Sequence, residues 1–298
     1  MHVLVLGSAA GGGFPQWNCR CPVCSLAWEG SPRVRPRTQS TVAVSVDGAS
    51  WVLLNASPDL RAQILAAPQL HPQREGRSSP IESVILSNAD LDHVAGLLAL
   101  RENHSFALHA SAEVLETLDA DPVFRVLNPS FVRRIPFRLD HPFASGGLHI
   151  VAFAVPGKRP LFFQSEGEGI GSETEMTVGL DITSNGRRFV YIPGCAHVTD
   201  ALRARLAGAD LLFFDGTTFT DDELPALGLS SKTAARMGHM AMIGESGSLN
   251  ALAHINVARK VFIHLNNTNP VLIEDSPQRR TVEASGWEIA FDGMTVSL

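Results

Sequence analysis

The sequence of 298 residues is long enough for one large α/β domain or two smaller ones. Hydrophobic residues make up 45% and charged residues 18%, so a sizeable core can form. The net charge of −6 argues against nucleic-acid binding, and no apolar stretch approaches the roughly 20 residues of a membrane-spanning helix. The chain runs directly into a strand-like segment without a charged leader, so we expect a cytoplasmic protein.

The first predicted strand covers residues 2–6, and a glycine-rich loop follows at 7–13. This loop matches neither the dinucleotide-binding fingerprint nor the phosphate-binding loop, which ends in Gly-Lys-Ser/Thr. Glycines also allow the backbone to approach another group closely. We therefore interpret the loop as a place where the backbone approaches another group closely, and not as a nucleotide site.

Three of the four cysteines, Cys19, Cys21 and Cys24, lie within a single short segment. In a cytosolic protein such a cluster more often binds metal than forms disulfides. Three thiolates fill three corners of a tetrahedral zinc site, so we predict a structural zinc clip in the loop at about 14–37. The spacing leaves the fourth ligand open. The candidates are His2, His239 and the stretch Asn266–Asn267.

The segment Ser87–Leu97 follows an apolar strand end and leads into a predicted helix. Asp90, Asp92 and His93 fall close together in it. Sheets of α/β proteins hold their ligands at strand ends, and carboxylates with an imidazole are donors for a divalent metal. A helix N-cap would explain one of the carboxylates, but not the second or the histidine. The segment therefore favours a metal site.

The rest of the chain alternates strands with helices, which indicates an α/β fold. Hairpins are predicted over the turns at 47–48 and 185–186, and an edge hairpin over 292–293. A helix is predicted over 248–258, and the last core strand ends at His264. The loop at 162–177 fits a cover over the site and a surface excursion equally well.

The segment around Asp92 resembles the His-x-His-x-Asp-His motif of the metallo-β-lactamase superfamily, with Asn88 and Asp90 at the first two histidine positions. The cysteine run, and His-Leu-Asn-Asn-Thr-Asn-Pro from His264, are similar to the branch of that superfamily that acts in pyrroloquinoline quinone (PQQ) biosynthesis. The resemblance covers essentially the whole chain. It implies one domain over 1–298, an αββα four-layer sandwich of two mixed sheets with helices outside.

The resemblance implies an active-site metal on Asp92, His93 and His264, with Asp90 as a fourth ligand. Lys158 stands where the superfamily has a further metal-binding histidine, and Cys195 replaces the bridging aspartate. A dinuclear zinc hydrolase needs those ligands. Two histidines and one carboxylate are the ligand set of non-haem Fe(II) oxygenases, so we expect Fe(II) there and zinc at the cysteines.

The implied reaction is hydroxylation, with dioxygen, of the tyrosine-derived ring in a cross-linked Glu-Tyr precursor of PQQ. His239 and Lys158 are predicted to act in catalysis. The residues predicted to bind substrate are Arg159, Asn266, Asn267 and Asp215. One alternative is a carrier that binds PQQ or its precursor and assists transport to the periplasm. Another is a metal-dependent hydrolase or phosphodiesterase. No nucleic-acid partner is expected, and the oligomeric state stays open, a homodimer included.

Overall fold

A computed structural model describes residues 1–158 and 171–298; Arg159 and residues 162–170 of the predicted loop lie outside this described part. The strands of the described part form two seven-stranded sheets. The first sheet contains β1 (His2–Gly7), β2 (Thr41–Ser45), β3 (Trp51–Leu54), β4 (Ile81–Ile85), β5 (Phe106–Ala110), β6 (Val132–Pro136) and β14 (Thr295–Ser297). The second contains β7 (Pro142–Ser145), β8 (Leu148–Gly157), β9 (Ser172–Ser184), β10 (Arg187–Ile192), β11 (Leu211–Asp215), β12 (Arg259–Ile263) and β13 (Glu288–Ile289).

Both sheets are mixed. In the first, the spatial order is β14-β1-β2-β3-β4-β5-β6, antiparallel as far as β3 and parallel from β3 to β6. In the second, the order is β13-β12-β11-β10-β9-β8-β7, parallel from β13 to β10 and antiparallel from there to β7. The predicted hairpins at 47–48 and 185–186 are confirmed by the antiparallel pairs β2–β3 and β9–β10.

Apolar side chains that point alternately to the two faces of each sheet produce the layers of the core. On β1, Val3 and Val5 belong to the apolar cluster between the sheets, whereas Leu4 and Leu6 belong to the cluster on the outer face. Successive side chains of a strand point to opposite faces, so each sheet is buried on both. A third cluster separates the second sheet from its own helices. The predicted αββα four-layer sandwich is confirmed.

The helices cover the outer faces of the two sheets. They are α1 (Pro22–Trp28), α2 (Leu60–Ala66), α3 (Leu91–Val94), α4 (Ala112–Ala120), α5 (Asp200–Leu206), α6 (Glu223–Ala226), α7 (Ser248–Ala251) and α8 (Pro277–Ala284). The helix predicted over 248–258 is too long, since α7 ends at Ala251 and is followed by His254 and Asn256, which have weak helix propensity. Within the described residues, every helix is too short or too polar to cross a bilayer.

The predicted edge hairpin over 292–293 is wrong. Strand β13 joins the second sheet beside β12, whereas β14 pairs with β1 of the first sheet. Between them, Asp292 accepts hydrogen bonds from the backbone N–H and hydroxyl groups of Ser8 and Thr38, at 2.6–3.0 Å. An Asp-Gly pair predicts a turn, but it does not determine which sheet receives each arm.

Candidate functional site

Two strand ends, one from each sheet, meet at the candidate site. After β4, a short loop leads into α3, which carries Asp92 and His93. After β12, the next residue is His264, whose backbone φ is 63°. A left-handed backbone is unfavourable for a residue with a side chain and is concentrated at functional positions. The strain at His264 therefore fits a residue that must point in a required direction.

The Asp92 carboxylate lies between two imidazoles. Its Oδ2 is 3.1 Å from His264 Nε2 and 3.9 Å from His93 Nε2. Each of the three residues offers a ligand atom, and these atoms lie within 4.8 Å of one another. The buried His93 Nε2 has no hydrogen-bond partner in the described part of the chain. An unpartnered buried polar atom costs free energy, which coordination of an ion would offset. The donor set therefore fits a divalent metal.

Burial and neighbouring charges determine the protonation states of this group. Burial lowers the pKa of His93 to about 4, against the attraction of Asp92, so its imidazole is neutral near pH 7. Burial opposes ionisation of Asp92, but His93 and His264 outweigh it and hold the pKa of that carboxyl below its usual range. Burial also acts on His264, but the hydrogen bond to Asp92 outweighs it and raises the pKa of His264. A proton therefore competes with a metal for the His264 imidazole.

Asn88 orients His93. Its Oδ1 is 2.7 Å from His93 Nδ1 and also accepts the backbone N–H of Asp90 at 3.0 Å. That N–H identifies the atom as the amide oxygen, so His93 Nδ1 carries the proton and Nε2 keeps its lone pair for a metal. In the sequence, Asn88 shows only as a lost histidine of the motif, and this role is not apparent there.

We expect Asn88→Ala to weaken metal binding at the site by about 10–100-fold, the usual effect of losing a partner that orients a ligand. Competition with a fluorescent chelator measures the change. The matched control is Asn88→Asp, which keeps an oxygen acceptor for His93 and should stay within a few-fold of the parent. Equal affinities for Asn88→Ala and the parent would contradict the orienting role.

His239 is held by Asp215, which lies at the end of β11. Asp215 is fully buried, and its Oδ2 is 2.8 Å from His239 Nδ1 and accepts the backbone N–H of Cys195 at 2.9 Å. Burial opposes ionisation of Asp215, but the charge and hydrogen bond of His239 outweigh it and lower the pKa of that carboxyl. Asp215 was predicted to bind substrate, but it lies behind His239 and not on the pocket wall. Because Asp215 takes the Nδ1 of His239, the Nε2 of this imidazole is left for other partners.

The Thr217 hydroxyl connects the two histidines that follow β11 and β12. It donates to Asp215 Oδ1 at 2.6 Å and lies 2.9 Å from His264 Nδ1 and 3.1 Å from His239 Nδ1. Asp215, His239 and His264 form a second group whose ligand atoms lie within 4.8 Å of one another. Because the Asp215 oxygens already accept hydrogen bonds from protein donors, we assign this group to orientation of the histidines.

Lys158 and Asp90 form an ion pair beside the metal group. Lys158 Nζ is 3.8 Å from Asp90 Oδ2, and the two side chains are 14% and 20% exposed. Burial raises the pKa of Asp90, against the attraction of Lys158. Asp90 was predicted as a fourth metal ligand, but the structure directs it to Lys158. Gly238 has φ 80°, and a Cβ there would lie 2.7 Å from Lys158 Cγ, so this glycine makes room for the lysine.

A pocket of about 290 Å³ joins these groups. The sequence-predicted residues on its wall are Asp90, Asp92, His93, Lys158, His239, His264 and Asn266. The wall also contains Lys232 and Arg236, which the sequence analysis missed. The available signal was a pair of cations four positions apart, shortly before His239. With Lys158, which pairs with Asp90, they place three basic side chains on the wall, and these suit an anionic ligand.

The three clustered cysteines form a separate group. All three are buried, and their sulfurs lie within 4.8 Å of one another. The predicted loop at about 14–37 contains α1. The N-cap of α1 is Cys21, whose Sγ accepts the backbone N–H of Cys24 at 3.4 Å. Local geometry therefore gathers thiols at a helix start, as metal-binding loops do.

Asn267 lies over these sulfurs. Its Nδ2 is 3.2 Å from Cys19 Sγ and 3.3 Å from Cys24 Sγ, and its backbone oxygen is 3.7 Å from Cys21 Sγ. Asn267 was predicted to bind substrate, but the structure places it at the cysteine cluster and not on the pocket wall. Of the candidates for a fourth zinc ligand, the Asn266–Asn267 stretch reaches the thiols, whereas His239 lies beside Asp215 and His2 beside Ser297.

Comparisons with known proteins identify the family of this chain. Residues 50–265 match the beta-lactamase superfamily domain. The chain is 54% identical over 299 residues to coenzyme PQQ synthesis protein B of Methylobacterium sp. (strain 4-46), with 100% of both chains covered. This chain belongs to the coenzyme PQQ synthesis protein B family. The crystal structure of zinc-bound PqqB from Methylobacterium extorquens is similar over 100% of both chains, with a TM-score of 0.98 and 56% identity.

The fold extends beyond the coenzyme PQQ synthesis protein B family. A diphosphatase from the PhnP family is similar to this chain with a TM-score of 0.70, over 100% of this chain and 97% of that one. Its sequence identity of 20% shows a shared fold and nothing about the reaction.

For this member of the coenzyme PQQ synthesis protein B family, we expect metal binding to weaken as the pH falls. The pKa of His264 is raised, so at lower pH a proton competes with the metal for this imidazole. His93 adds little to the effect above its pKa of about 4. Dissociation constants for Zn²⁺ at the His264 site, measured from pH 8 to pH 5.5 on protein whose cysteine cluster already holds zinc, test this expectation, and a constant value over that range would contradict it.

Proposed function

We propose that residues 1–298 form one cytoplasmic domain that hydroxylates the tyrosine-derived ring of the cross-linked Glu-Tyr precursor during PQQ biosynthesis. Membership of the coenzyme PQQ synthesis protein B family supports the pathway. The observation that carries the reaction type is the group of Asp92, His93 and His264, one carboxylate and two imidazoles with ligand atoms within 4.8 Å. This is the ligand set of mononuclear Fe(II) oxygenases.

The surroundings of this group favour one metal over two. At the positions where dinuclear relatives carry ligands, Asn88 orients His93 and the Lys158 ammonium pairs with Asp90. Cys195 is fully buried, its Sγ donates to the backbone oxygen of His197 at 3.1 Å, and burial raises the pKa of its thiol. A positive ammonium and a protonated thiol are poor neighbours for a second cation.

In this proposal Asp92, His93 and His264 hold Fe(II), which when bound supplies the dioxygen activation that ring hydroxylation needs. One oxygen atom is inserted into a ring C–H bond to give C–OH, and the other leaves as water, with two electrons from an external reductant and two protons taken up. Zinc is proposed at Cys19, Cys21 and Cys24, a cluster that favours a reducing compartment.

The chain's own side chains orient the substrate. The Asp215 carboxylate fixes the Nδ1 of His239, so the free Nε2 is proposed to bind the phenol hydroxyl and hold its proton. Lys158, Lys232 and Arg236 give the pocket positive charge for the carboxylates of the precursor. Arg159, next to Lys158 in the chain, is proposed for the same role. Asn266 lines the same wall.

The test is an anaerobic reconstitution with Fe(II). The protein is mixed with the cross-linked Glu-Tyr dipeptide and ascorbate and then exposed to ¹⁸O₂, and the product mass is recorded. We expect incorporation of one ¹⁸O atom that depends on iron and is lost in Asp92→Ala. A matched control is Asp210→Ala, because Asp210 is a carboxylate that pairs with Arg187 away from the pocket.

Other results would favour the rival functions. Unchanged substrate mass together with tight, metal-independent binding of PQQ would support the carrier. Cleavage of an ester or phosphodiester by the Zn²⁺ or Mn²⁺ form would support the hydrolase. Either outcome would overturn the hydroxylase proposal.

A further inference from the structure

A buried carboxylate behind the pocket has no part in the roles assigned so far. Glu223, the first residue of α6, is 6% exposed. Its Oε2 accepts the backbone N–H of Phe219 at 2.7 Å, and its Oε1 accepts the Thr268 hydroxyl at 2.5 Å. The Thr268 oxygen in turn accepts Asn266 Nδ2 at 2.5 Å. Because Asn266 lines the pocket, these hydrogen bonds run from the interior to the pocket wall.

The charge at one end determines the direction of every bond in this series. An ionised carboxylate can only accept, so Thr268 must use its one O–H on Glu223. Thr268 is then an acceptor towards its other neighbour, and Asn266 must present its NH₂ group to it. Asn266 Oδ1 is left for a ligand, since it has no donor among residues 1–158 and 171–298. The orientation of the amide therefore follows from the chemistry of its neighbours.

We propose that Glu223 is a positioning residue, which through Thr268 fixes the Asn266 carbonyl oxygen towards the pocket and makes the pocket select ligands with a hydrogen-bond donor there. The identity of these ligands rests on the proposed function. The phenol ring and its hydroxylated product carry O–H donors, whereas an ortho-quinone carries only carbonyl acceptors at those ring positions. The site thus favours the precursor over the finished quinone.

The ionised form of Glu223 is the one that gives this polarity. Burial raises the pKa of Glu223 to about 7, against the hydrogen bonds from Thr268 and from the backbone N–H groups of Phe219 and Thr220, with Asp222 adding to the rise. At pH 8 the carboxylate predominates, so binding is compared at that pH.

Glu223→Gln reverses the series without changing the size of the side chain. The glutamine NH₂ must face Thr268, because the other terminal atom faces backbone N–H groups and has to be an acceptor. Thr268 then donates to Asn266, whose amide turns and presents NH₂ to the pocket. The variant therefore exchanges an acceptor for a donor at one place on the pocket wall.

The experiment measures binding of two probes to the zinc-loaded protein at pH 8 by titration calorimetry. The probes are the cross-linked Glu-Tyr dipeptide and PQQ. We expect Glu223→Gln to weaken dipeptide binding about tenfold, because the phenol loses its hydrogen-bond acceptor on the pocket wall. PQQ binding should become several-fold stronger, because the quinone carbonyl gains a donor there. In an Asn266→Ala background, Glu223→Gln should change neither affinity, since Asn266 carries the effect.

Equal shifts for both probes, or shifts that persist in the Asn266→Ala background, would overturn the positioning role and indicate a general structural effect. If Glu223→Gln does not fold, Thr268→Val takes its place, and it should reduce the preference between the two probes without reversing it; an unchanged preference overturns the proposal. If the parent protein does not hydroxylate the dipeptide, the proposed function is refuted but the positioning role of Glu223 is not. The PQQ affinities of the variants still test the hydrogen bonds from Glu223 through Thr268 to Asn266.

Discussion

His93→Ala should lose the active-site metal and the ring oxidation together, while the zinc of the cysteine cluster stays bound. The variant leaves only Asp92 and His264 of the three converging ligands. Loss of a ligand exceeds the 10–100-fold effect typical of an orienting partner, so we expect turnover to fall by at least about 100-fold. Elemental analysis after Fe(II) reconstitution and the ¹⁸O₂ assay measure the two effects separately.

The matched control for this substitution is His254→Ala. His254 is exposed and lies outside the pocket wall, so both metals and turnover should match the parent. Two results for His93→Ala would count against the assignment. One is iron content and turnover equal to the parent, and the other is loss of the cysteine-bound zinc as well, which would indicate unfolding.

Cys21→Ser should release the zinc of the cysteine cluster and lower the melting temperature by roughly 10 °C, which corresponds to a few kcal/mol in a chain of this size. Cys21 caps α1, and its sulfur lies beside the backbone oxygen of Asn267. A serine keeps a cap but is a poor zinc ligand, so the substitution separates metal binding from capping. Zinc content and thermal unfolding are the measurements.

Cys195→Ser is the control for thiol loss. Cys195 Sγ donates to the backbone oxygen of His197, which a serine hydroxyl can also do, and it is not part of the cluster. Zinc should stay bound in this variant. The zinc assignment fails if Cys21→Ser keeps its zinc, or if mass spectrometry finds the clustered cysteines joined in disulfides.

The layered fold could be predicted because it depends on local patterns. Alternating apolar residues indicate strands, and Asp-Gly and Asn-Gly pairs indicate turns. Local patterns could not assign β13 and β14 to their sheets. The hydrogen bonds from Ser8 and Thr38 to Asp292, which lies between these strands, connect residues far apart in the sequence. Long-range contacts of this kind leave no periodic signal.

The site could be predicted where its residues follow strand ends within a recognisable motif, as Asp92, His93 and His264 do. Asp90 shows the limit of this reasoning. It occupies the N-cap of α3 with an extended backbone, whereas Asp92 lies in the first helical turn. Their side chains therefore leave the chain in different directions, and Asp90 meets Lys158.

Neighbouring residues with the same side chain can also serve different sites. Asn266 and Asn267 were predicted to share one role, yet one lines the pocket and the other contacts the cysteines. Composition alone does not distinguish them, because the distinction depends on which way the backbone turns after His264. Lys232 and Arg236 were missed because they come from a segment without regular strands, folded over the pocket.

The proposed metal ligands follow strands of different sheets, since Asp92 and His93 follow β4 and His264 follows β12. An ion held by all three would have to be released before this end of the two sheets can separate. Metal loading should therefore suppress local opening at both strand ends at once and slow amide hydrogen exchange there. The resistance of the protein to proteolysis in the cell would then follow the supply of metal, so that metal-starved molecules are degraded first.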